Sequence, residues 1–115
     1  MATITPDFSD PNGAAATIVT WASCATGDTL KTWEAKGLTT AVASVQISGT
    51  FGGTTATLEV SNDGSTWFAA KDTQGEEVSA TVNSFFEVSV SARYVRPALT
   101  GGSGNSVNVI LVMRG

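Results

Sequence analysis

The groups with catalytic potential in this sequence are a few carboxylates and one thiol. Glu76 and Glu77 are adjacent, so on a strand their side chains point to opposite faces and cannot converge on one substrate atom, as a glycosidase pair must. Asp63 lies in an Asn-Asp-Gly turn, where aspartate is expected for backbone reasons alone. Cys24 is the single cysteine, and the sequence has no histidine to activate it. We therefore expect no enzymatic activity and a small, buried, unreactive Cys24.

The sequence also lacks the patterns of metal and cofactor sites. Asn62, Asp63 and Asp72 are too few oxygen ligands for a calcium loop. One cysteine and no histidine exclude the usual zinc sites. The glycine pairs at 52–53 and 101–102 do not open helices, so they do not form a phosphate-binding loop of the familiar kind. We expect no metal and no cofactor.

Large aromatic side chains are the remaining candidates for recognition. Adjacent aromatics on a strand face opposite sides, so one member of each Trp67–Phe68 and Phe85–Phe86 pair is expected to face the core and the other to face outward. The aromatic set could form a protein-contact surface, a stacking platform for sugars, or internal packing on both faces. Its members are Trp21, Trp33, Trp67, Phe68, Phe85, Phe86 and Tyr94.

The elements that position these residues show a hydrophobic period of two. Ala56, Leu58 and Val60 alternate with polar residues, as expected for a half-buried strand. The ranges 42–51, 85–91 and 107–113 alternate in the same way, and Gly49 in the first of them suggests a bulge or a close backbone approach. In the last range the opposite face is also apolar, which predicts a central strand covered on both sides. Shorter strands are expected at 17–22, 29–35 and 77–82, and a hairpin is expected around Asn62–Ser65.

Eight or nine short strands separated by turns predict an all-β fold, an antiparallel β-sandwich or jelly roll of about eight strands. A chain of 115 residues has room for one such domain. The predicted core consists of the large apolar residues in the inward register. These are Val45, Ile47, Leu58, Val60, Trp67, Val88, Val90, Val95, Val109 and Leu111.

Charge and hydropathy exclude several partners. The chain carries 6 Lys and Arg against 10 Asp and Glu, for a net charge of −4. Its cations are scattered, so a nucleic-acid interface is not expected. There is neither a run of 18 apolar residues nor a signal-peptide pattern, so we expect a protein made in the cytoplasm that neither enters a membrane nor uses that secretion route. The cations are Lys31, Lys36, Lys71, Arg93, Arg96 and Arg114.

The N-terminal segment differs from the remainder, which predicts an extended arm at 1–16 and a sandwich domain at 17–115. Pro6 and Pro11 interrupt regular structure, and Ile4 and Phe8 are the large apolar residues of the arm. Burying these two would contribute about 3–6 kcal/mol. Ordering a dozen residues costs roughly 1 kcal/mol or more each. We therefore expect residues 1–13 to pack mainly against another polypeptide, with Ile4, Pro6, Phe8 and Pro11 as contact residues.

The C-terminal half resembles discoidin-type (F5/8 C) jelly rolls. The resemblance lies in the run LEVSNDGSTWFAAKD that starts at Leu58, in the run ARYVR at 92–96 and in a short final strand. Discoidin domains bind sugars or lipids through loops of their N-terminal half. That half and the usual cysteine pair do not match here. The resemblance implies a jelly-roll fold and assigns no ligand residue.

A longer stretch, from about Trp21 to Gly115, is similar to small head proteins encoded near the capsid genes of tailed bacteriophages. The segments that carry it are TWASCATGDT, SVQISGTFGGTTATLEVSNDGSTWF and RYVRPALTGGSGNSVNVILVMRG. Such decoration or cement proteins are compact β-sandwiches that bridge capsomers outside the shell, often as dimers or trimers. The resemblance defines no contact residues.

Two hypotheses follow from the residues and the resemblances. The first is a virion protein that binds the major capsid protein or other virion proteins, stabilises the head and forms a homo-oligomer. An acidic, lysine-poor chain suits the outside of a shell better than contact with packaged genome. The alternative is a discoidin-like carbohydrate-binding module, which a virion could display for host attachment.

Overall fold

The structure is a computed structural model that describes residues 2–9, 16–34, 42–89 and 92–114. The described residues form strands and no helix, and none of them lies in a helix able to cross a membrane. The strands are β1 (Thr3–Ile4), β2 (Asp7–Ser9), β3 (Ala16–Cys24), β4 (Thr29–Leu30), β5 (Trp33–Glu34), β6 (Val42–Thr50), β7 (Thr55–Ser61), β8 (Phe68–Ala69), β9 (Ser79–Ala80), β10 (Ser84–Ser89), β11 (Tyr94–Thr100) and β12 (Ser106–Arg114).

Two antiparallel sheets contain most of these strands. The first has the order β10-β6-β12-β3-β2, and the second has the order β5-β11-β7-β8, with β9 also paired to β7. From β3 onward the chain fills eight strand positions, because β4 with β5 and β8 with β9 are each one position in two pieces. β3, the first position, pairs with β12, the eighth, and β5, in the second, pairs with β11, the seventh. β6, the third, pairs with β10, the sixth, and β7, the fourth, pairs with β8 in the fifth. This is the strand order of a jelly roll, so the predicted all-β sandwich is confirmed, with twelve strands described instead of about eight.

The core lies between the two sheets. The first sheet contributes Trp21, Ile47 and Leu111, and the second contributes Leu58 and Val95, each at most 1% exposed. The buried indole N–H of Trp21 donates to the carbonyl of Lys31 at 2.8 Å, which satisfies its polar atom. Both sheets therefore bury their inward side chains in one shared apolar layer, which is what defines a sandwich.

The core prediction is confirmed at seven of its ten positions. Val45, Ile47, Leu58, Val88, Val95, Val109 and Leu111 are all buried. Val60 is half-buried and packs against the edge of the core, because it pairs with the outlying strand β8. Trp67 is also half-buried and is not part of the core, since it lies against the guanidinium of Arg96. Val90 falls outside the described residues.

β12 is the middle strand of its sheet, as predicted. The predicted cover on its second face is not seen among the described residues, because Ile110 and Val112 face outward and are half-buried. It pairs along its length with β6 and with β3, with a register irregularity between Val107 and Val109. Gly49 on β6 stands opposite Val107 with a φ of 128°, and a Cβ there would collide with the carbonyl oxygen of Ser106. The expected close backbone approach at Gly49 is thus confirmed.

The N-terminal segment differs from the prediction. Thr3–Ile4 pairs in parallel with Thr29–Leu30, and Asp7–Ser9 pairs antiparallel with β3. Residues 2–9 therefore lie on the chain's own sandwich, which corrects the expectation that the arm packs mainly against another polypeptide. The physical reason is that backbone hydrogen bonds to existing strand edges add to the small apolar contribution of the segment. The boundary predicted between residues 16 and 17 adjoins residues 10–15, which are not described.

We expect Leu58→Ala to lower the free energy of unfolding by about 2–5 kcal/mol, because the vacated space is enclosed by both sheets. Thr57→Ala is the matched control, since Thr57 neighbours Leu58 but faces outward and is half-buried. It should cost less than about 1 kcal/mol. Urea unfolding followed by tryptophan fluorescence measures both. Equal losses in the two variants would contradict the register described here.

Candidate interaction surfaces

The Asp63 turn is built for backbone hydrogen bonding, as the sequence predicts. One carboxylate oxygen of Asp63 accepts from the N–H groups of Ser65 and Thr66, both at 2.8 Å, and from the Ser61 hydroxyl at 2.9 Å. Because these donors favour the charged form, the pKa of Asp63 is lowered to about 2. Asp63 therefore shapes the β7–β8 hairpin.

Two other groups singled out in the sequence, Cys24 and Glu77, are a buried thiol and one partner of an exposed ion pair. Cys24 is fully buried, and burial raises the pKa of its thiol to about 11, with the nearby charge of Asp28 as a smaller cause. A thiol in this state is a poor nucleophile. Glu77 forms an exposed ion pair with Lys71 at 3.8 Å. Within the described ranges, no three His, Cys, Asp or Glu side chains are grouped so that they could hold a metal ion.

The aromatic side chains do not form one platform. Trp21 belongs to the core, while Trp33 and Phe86 pack against it. Phe68 is 65% exposed and Phe85 is 64% exposed, but they lie on strands of different sheets. The prediction for the Phe85–Phe86 pair is confirmed. For Trp67 and Phe68 it is wrong, because neither side chain enters the core.

The outer face of the second sheet carries ion pairs, and we call Glu34, Glu59, Arg93 and Arg96 the charged face. Glu59 and Arg96 are opposite one another on β7 and β11, with Nε and Oε1 3.0 Å apart. The Arg96 guanidinium also lies 3.9 Å from the centre of the Trp67 ring, a cation–π contact. Arg93 binds Glu34 at 2.5 Å and stacks on Tyr94.

A shallow groove of about 250 Å³ runs beside the charged face. Asp28, Glu59 and Arg96 supply its charged lining, and Leu30 and Leu99 are among its apolar lining residues. Drug-sized ligand sites are usually larger, at roughly 300–1,000 Å³. The groove is therefore smaller than a drug-sized ligand site.

The outer face of the first sheet is different, and we call it the uncharged face. Its residues stand at the outward positions of the three central strands: Ile18, Thr20, Ser44, Gln46, Ser48, Asn108, Ile110 and Val112. Ile18, Ile110 and Val112 are half-buried by neighbouring strands and form an apolar stripe. On β7 of the other sheet the outward positions are instead Thr55, Thr57 and Glu59.

Glycine-rich turns form a third surface at one end of the sandwich, which we call the glycine tip: the turn 51–54 and the loop 101–105. The Ser103 N–H donates to the carbonyl of Gly52 at 3.0 Å. The hydroxyls of Thr26 and Thr54 lie 2.7 Å apart, and each reaches the carbonyl of Gly101 at 2.6 Å. A Cβ on Gly102, whose φ is 72°, would lie 2.5 Å from the Thr54 nitrogen. These contacts hold the two turns together, while residues 101–104 stay exposed and uncharged.

Of the four predicted contact residues of the arm, the structure describes the side chains of Ile4 and Pro6. Ile4 is half-buried and packs against the core, and Pro6 is also half-buried. Phe8 stands opposite Val19 in the sheet, and its side chain is not described. Pro11 falls outside the described residues. A hydrogen bond attaches the arm to Asp28, whose carboxylate accepts from the Ala2 N–H at 3.0 Å.

The sequence did not predict the charged face, nor that the turn 51–54 and the loop 101–105 lie together in the glycine tip. Both depend on residues distant in the chain, such as Glu59 with Arg96 and Gly52 with Ser103. The apolar residues at the outward positions of the last strand were the one signal for the uncharged face. That signal predicted a strand covered on both sides.

Comparisons with known proteins show the fold. The sequence matches no protein-family model and no curated protein. The structure is similar to the crystal structure of the SPBc2 prophage-derived protein YomS, with a TM-score of 0.60 and 8% sequence identity. The match covers 85% of this chain and 94% of that chain. The two chains therefore share an all-β architecture over most of their length.

We expect Asp63→Asn to reduce stability at neutral pH, because asparagine keeps an acceptor oxygen but loses the charge that the turn donors favour. The pKa of Asp63 is lower in the folded chain than the usual 3.8, so its stabilising contribution is complete above about pH 4. That contribution is lost as the pH falls towards 2. Urea midpoints of both proteins between pH 7 and pH 2 test this. A difference that stays constant down to pH 2 would contradict it.

Proposed function

We propose that this chain is a structural protein of a tailed-bacteriophage particle that decorates the outside of the head and stabilises contacts between capsomers. The observation that carries the proposal is the similarity to a prophage-derived protein across 85% of this chain. A decoration protein acts through many copies of a modest interface, so small free energies add up over a lattice. In this proposal the chain has no catalytic role.

The glycine tip is the surface we propose for contact with the shell. Its turns are held by backbone and hydroxyl hydrogen bonds, so little further conformational entropy is lost when they dock. Its exposed glycines and serine present backbone polar groups to a partner without bulky side chains between them. The chain has a net charge of −4, but residues 101–104 carry no charge. The tip itself therefore does not repel a negatively charged partner surface.

The remaining parts of the proposal concern partners and location. The partner is the major capsid protein or another virion protein, and the chain forms a homo-oligomer. It is made in the host cytoplasm and becomes part of the virion. Contact with nucleic acid is not proposed, since the acidic chain has no cluster of cations.

Binding to isolated heads tests the proposal. Heads of the phage that encodes this chain, assembled without it, are mixed with purified protein and sedimented. We expect saturable binding to the outer surface and a higher temperature for head disruption. Ser103→Arg, which places a bulky side chain on the tip, should weaken binding about tenfold or more. Ser65→Arg is the matched control, because it adds the same side chain to an exposed turn at the opposite end.

Two results would count against this proposal. If the wild-type chain does not bind heads, the decoration role is wrong. If Ser103→Arg binds as well as Ser65→Arg does, the tip is not the contact surface. In that case the turn at 71–76 is the next region to examine, because most of its residues are exposed.

A carbohydrate-binding role is the second candidate, and the groove beside the charged face favours it. Glu59 and Arg96 can bind vicinal hydroxyls through paired hydrogen bonds, and both groups are about one-third exposed. The groove is also lined by Leu30 and Leu99, which could contact the apolar face of a sugar ring. This arrangement would suit attachment of a virion to surface glycans.

We expect any glycan binding to depend on Glu59. Titration with host surface polysaccharide, followed by tryptophan fluorescence, should show binding that Glu59→Gln weakens about tenfold, since a charged hydrogen-bond acceptor is lost. Glu34→Gln is the matched control, because Glu34 is also paired with an arginine but does not line the groove. Absence of binding by the wild-type chain, or equal binding by both variants, would rule this candidate out.

A further inference from the structure

The uncharged face combines two features that are unusual for the outside of a sandwich. Its central strand places Ile110 and Val112 outward, and Ile18 stands beside Val112 on β3. From 18 to 20, from 44 to 48 and from 108 to 112 the sequence contains no charged residue. On a sheet face in contact with water, the outward residues are normally polar, as they are on β7. This composition is typical of a surface that is covered in the working assembly.

We propose that a second copy of this chain covers the uncharged face, so that the protein is a two-fold symmetric dimer with the two first sheets packed face to face. The proposal deepens the structural role proposed above and rests on it for the direction of the symmetry axis. The contact itself is argued from the charge, size and layout of the face.

Charge favours a second copy as the occupant. Each chain carries a net charge of −4, so two copies repel one another unless they meet where charge is absent. The uncharged face meets this condition over its three central strands. Two charged positions lie at the margins, Glu87 on β10 beside Ser44 and Asp7 on β2 opposite Thr20, where the rim of an interface stays polar and wet.

The size of the face also fits a dimer. Three neighbouring strands of nine residues each, flanked by β10 and β2, span about 30 Å along the strands and about 20 Å across them. The face therefore covers roughly 600 Å², and two copies would bury roughly 1,200 Å², the lower limit of stable interfaces.

The layout is self-complementary. β12 is the third of five strands, so the apolar stripe is at the middle of the face. A two-fold axis along β12 in the plane of the interface places Ile110 and Val112 close to their own equivalents and lets the two faces overlap fully. The same axis carries the β10 edge of one copy over the β2 edge of the other. Phe85, 64% exposed and in the same row as Gln46 and Ile110, then lies over the partner copy's β2.

The direction of this axis determines where the glycine tips of the two copies lie. Rotation about a line parallel to the strands keeps the strand direction, so the glycine tips of both copies lie at the same end of the dimer. Both tips could then contact one shell at once, and the second contact benefits from a high effective concentration. An axis perpendicular to the strands would place the tips at opposite ends.

The solution mass of the intact chain tests the dimer. Sedimentation equilibrium of the intact chain at about 10 μM should give twice the chain mass of 11.8 kDa. Ile110→Lys should give the monomer mass, because two lysines would meet near the axis. The control is Thr57→Lys, the same change on the outer face of β7, which should remain dimeric.

A second pair of variants tests the dimer even if Ile110→Lys does not fold. Phe85→Ser and Phe68→Ser each remove a phenylalanine that is about equally exposed, one on each sheet. Phe85→Ser should raise the dimer dissociation constant about tenfold. Phe68→Ser should leave it unchanged, and both should retain the wild-type circular dichroism spectrum.

Each outcome is decisive for this inference. A wild-type monomer or trimer would overturn it, and so would a dimer that is equally sensitive to Phe68→Ser and Phe85→Ser. Head binding is scored separately. A monomer that still binds heads refutes the dimer and leaves the decoration role intact. A dimer that does not bind heads refutes the decoration role and leaves the dimer intact.

Discussion

Burial of the inward side chains of β12 is the interaction on which the remaining structure depends. Val107, Val109 and Leu111 are fully buried between the two sheets, while the backbone of the same strand pairs with β6 on one side and β3 on the other. Because strand side chains alternate, this burial forces Ile110 and Val112 outward. The uncharged face therefore follows from the register of the core, and a slip of one residue would exchange the two sets.

Sequence periodicity was enough to predict the sandwich and most of its core, because inward alternation is a local signal. It could not predict where strands break, since β4 and β5 are separated by two residues that carry no turn signal. Trp67 was misassigned because its partner, Arg96, is brought to it by the pairing of β11 with β7. The N-terminal segment was misassigned because its hydrogen bonds go to the edges of β3 and β4, which exist only after the sheets form.

The surface of the sandwich divides into regions with different physical properties. On the charged face the arginines are paired with glutamates of the same chain, so these charges are already neutralised locally. The uncharged face lacks such pairs and exposes part of an apolar stripe. The glycine tip is rigid through its hydrogen bonds and presents backbone groups. Self-association through one region and docking through another would let a small domain link several molecules, as the proposed decoration role requires.

Hydroxyl-radical footprinting of the chain on phage heads and in dilute solution tests the central claim most directly, namely that the uncharged face is a protein contact. Phe85 and Phe68 provide an internal comparison, because they are equally exposed in the isolated chain but belong to different sheets. We predict that Phe85 and Ile110 lose labelling on the particle while Phe68 keeps it. Equal labelling of Phe85 and Phe68 on the particle would contradict this claim.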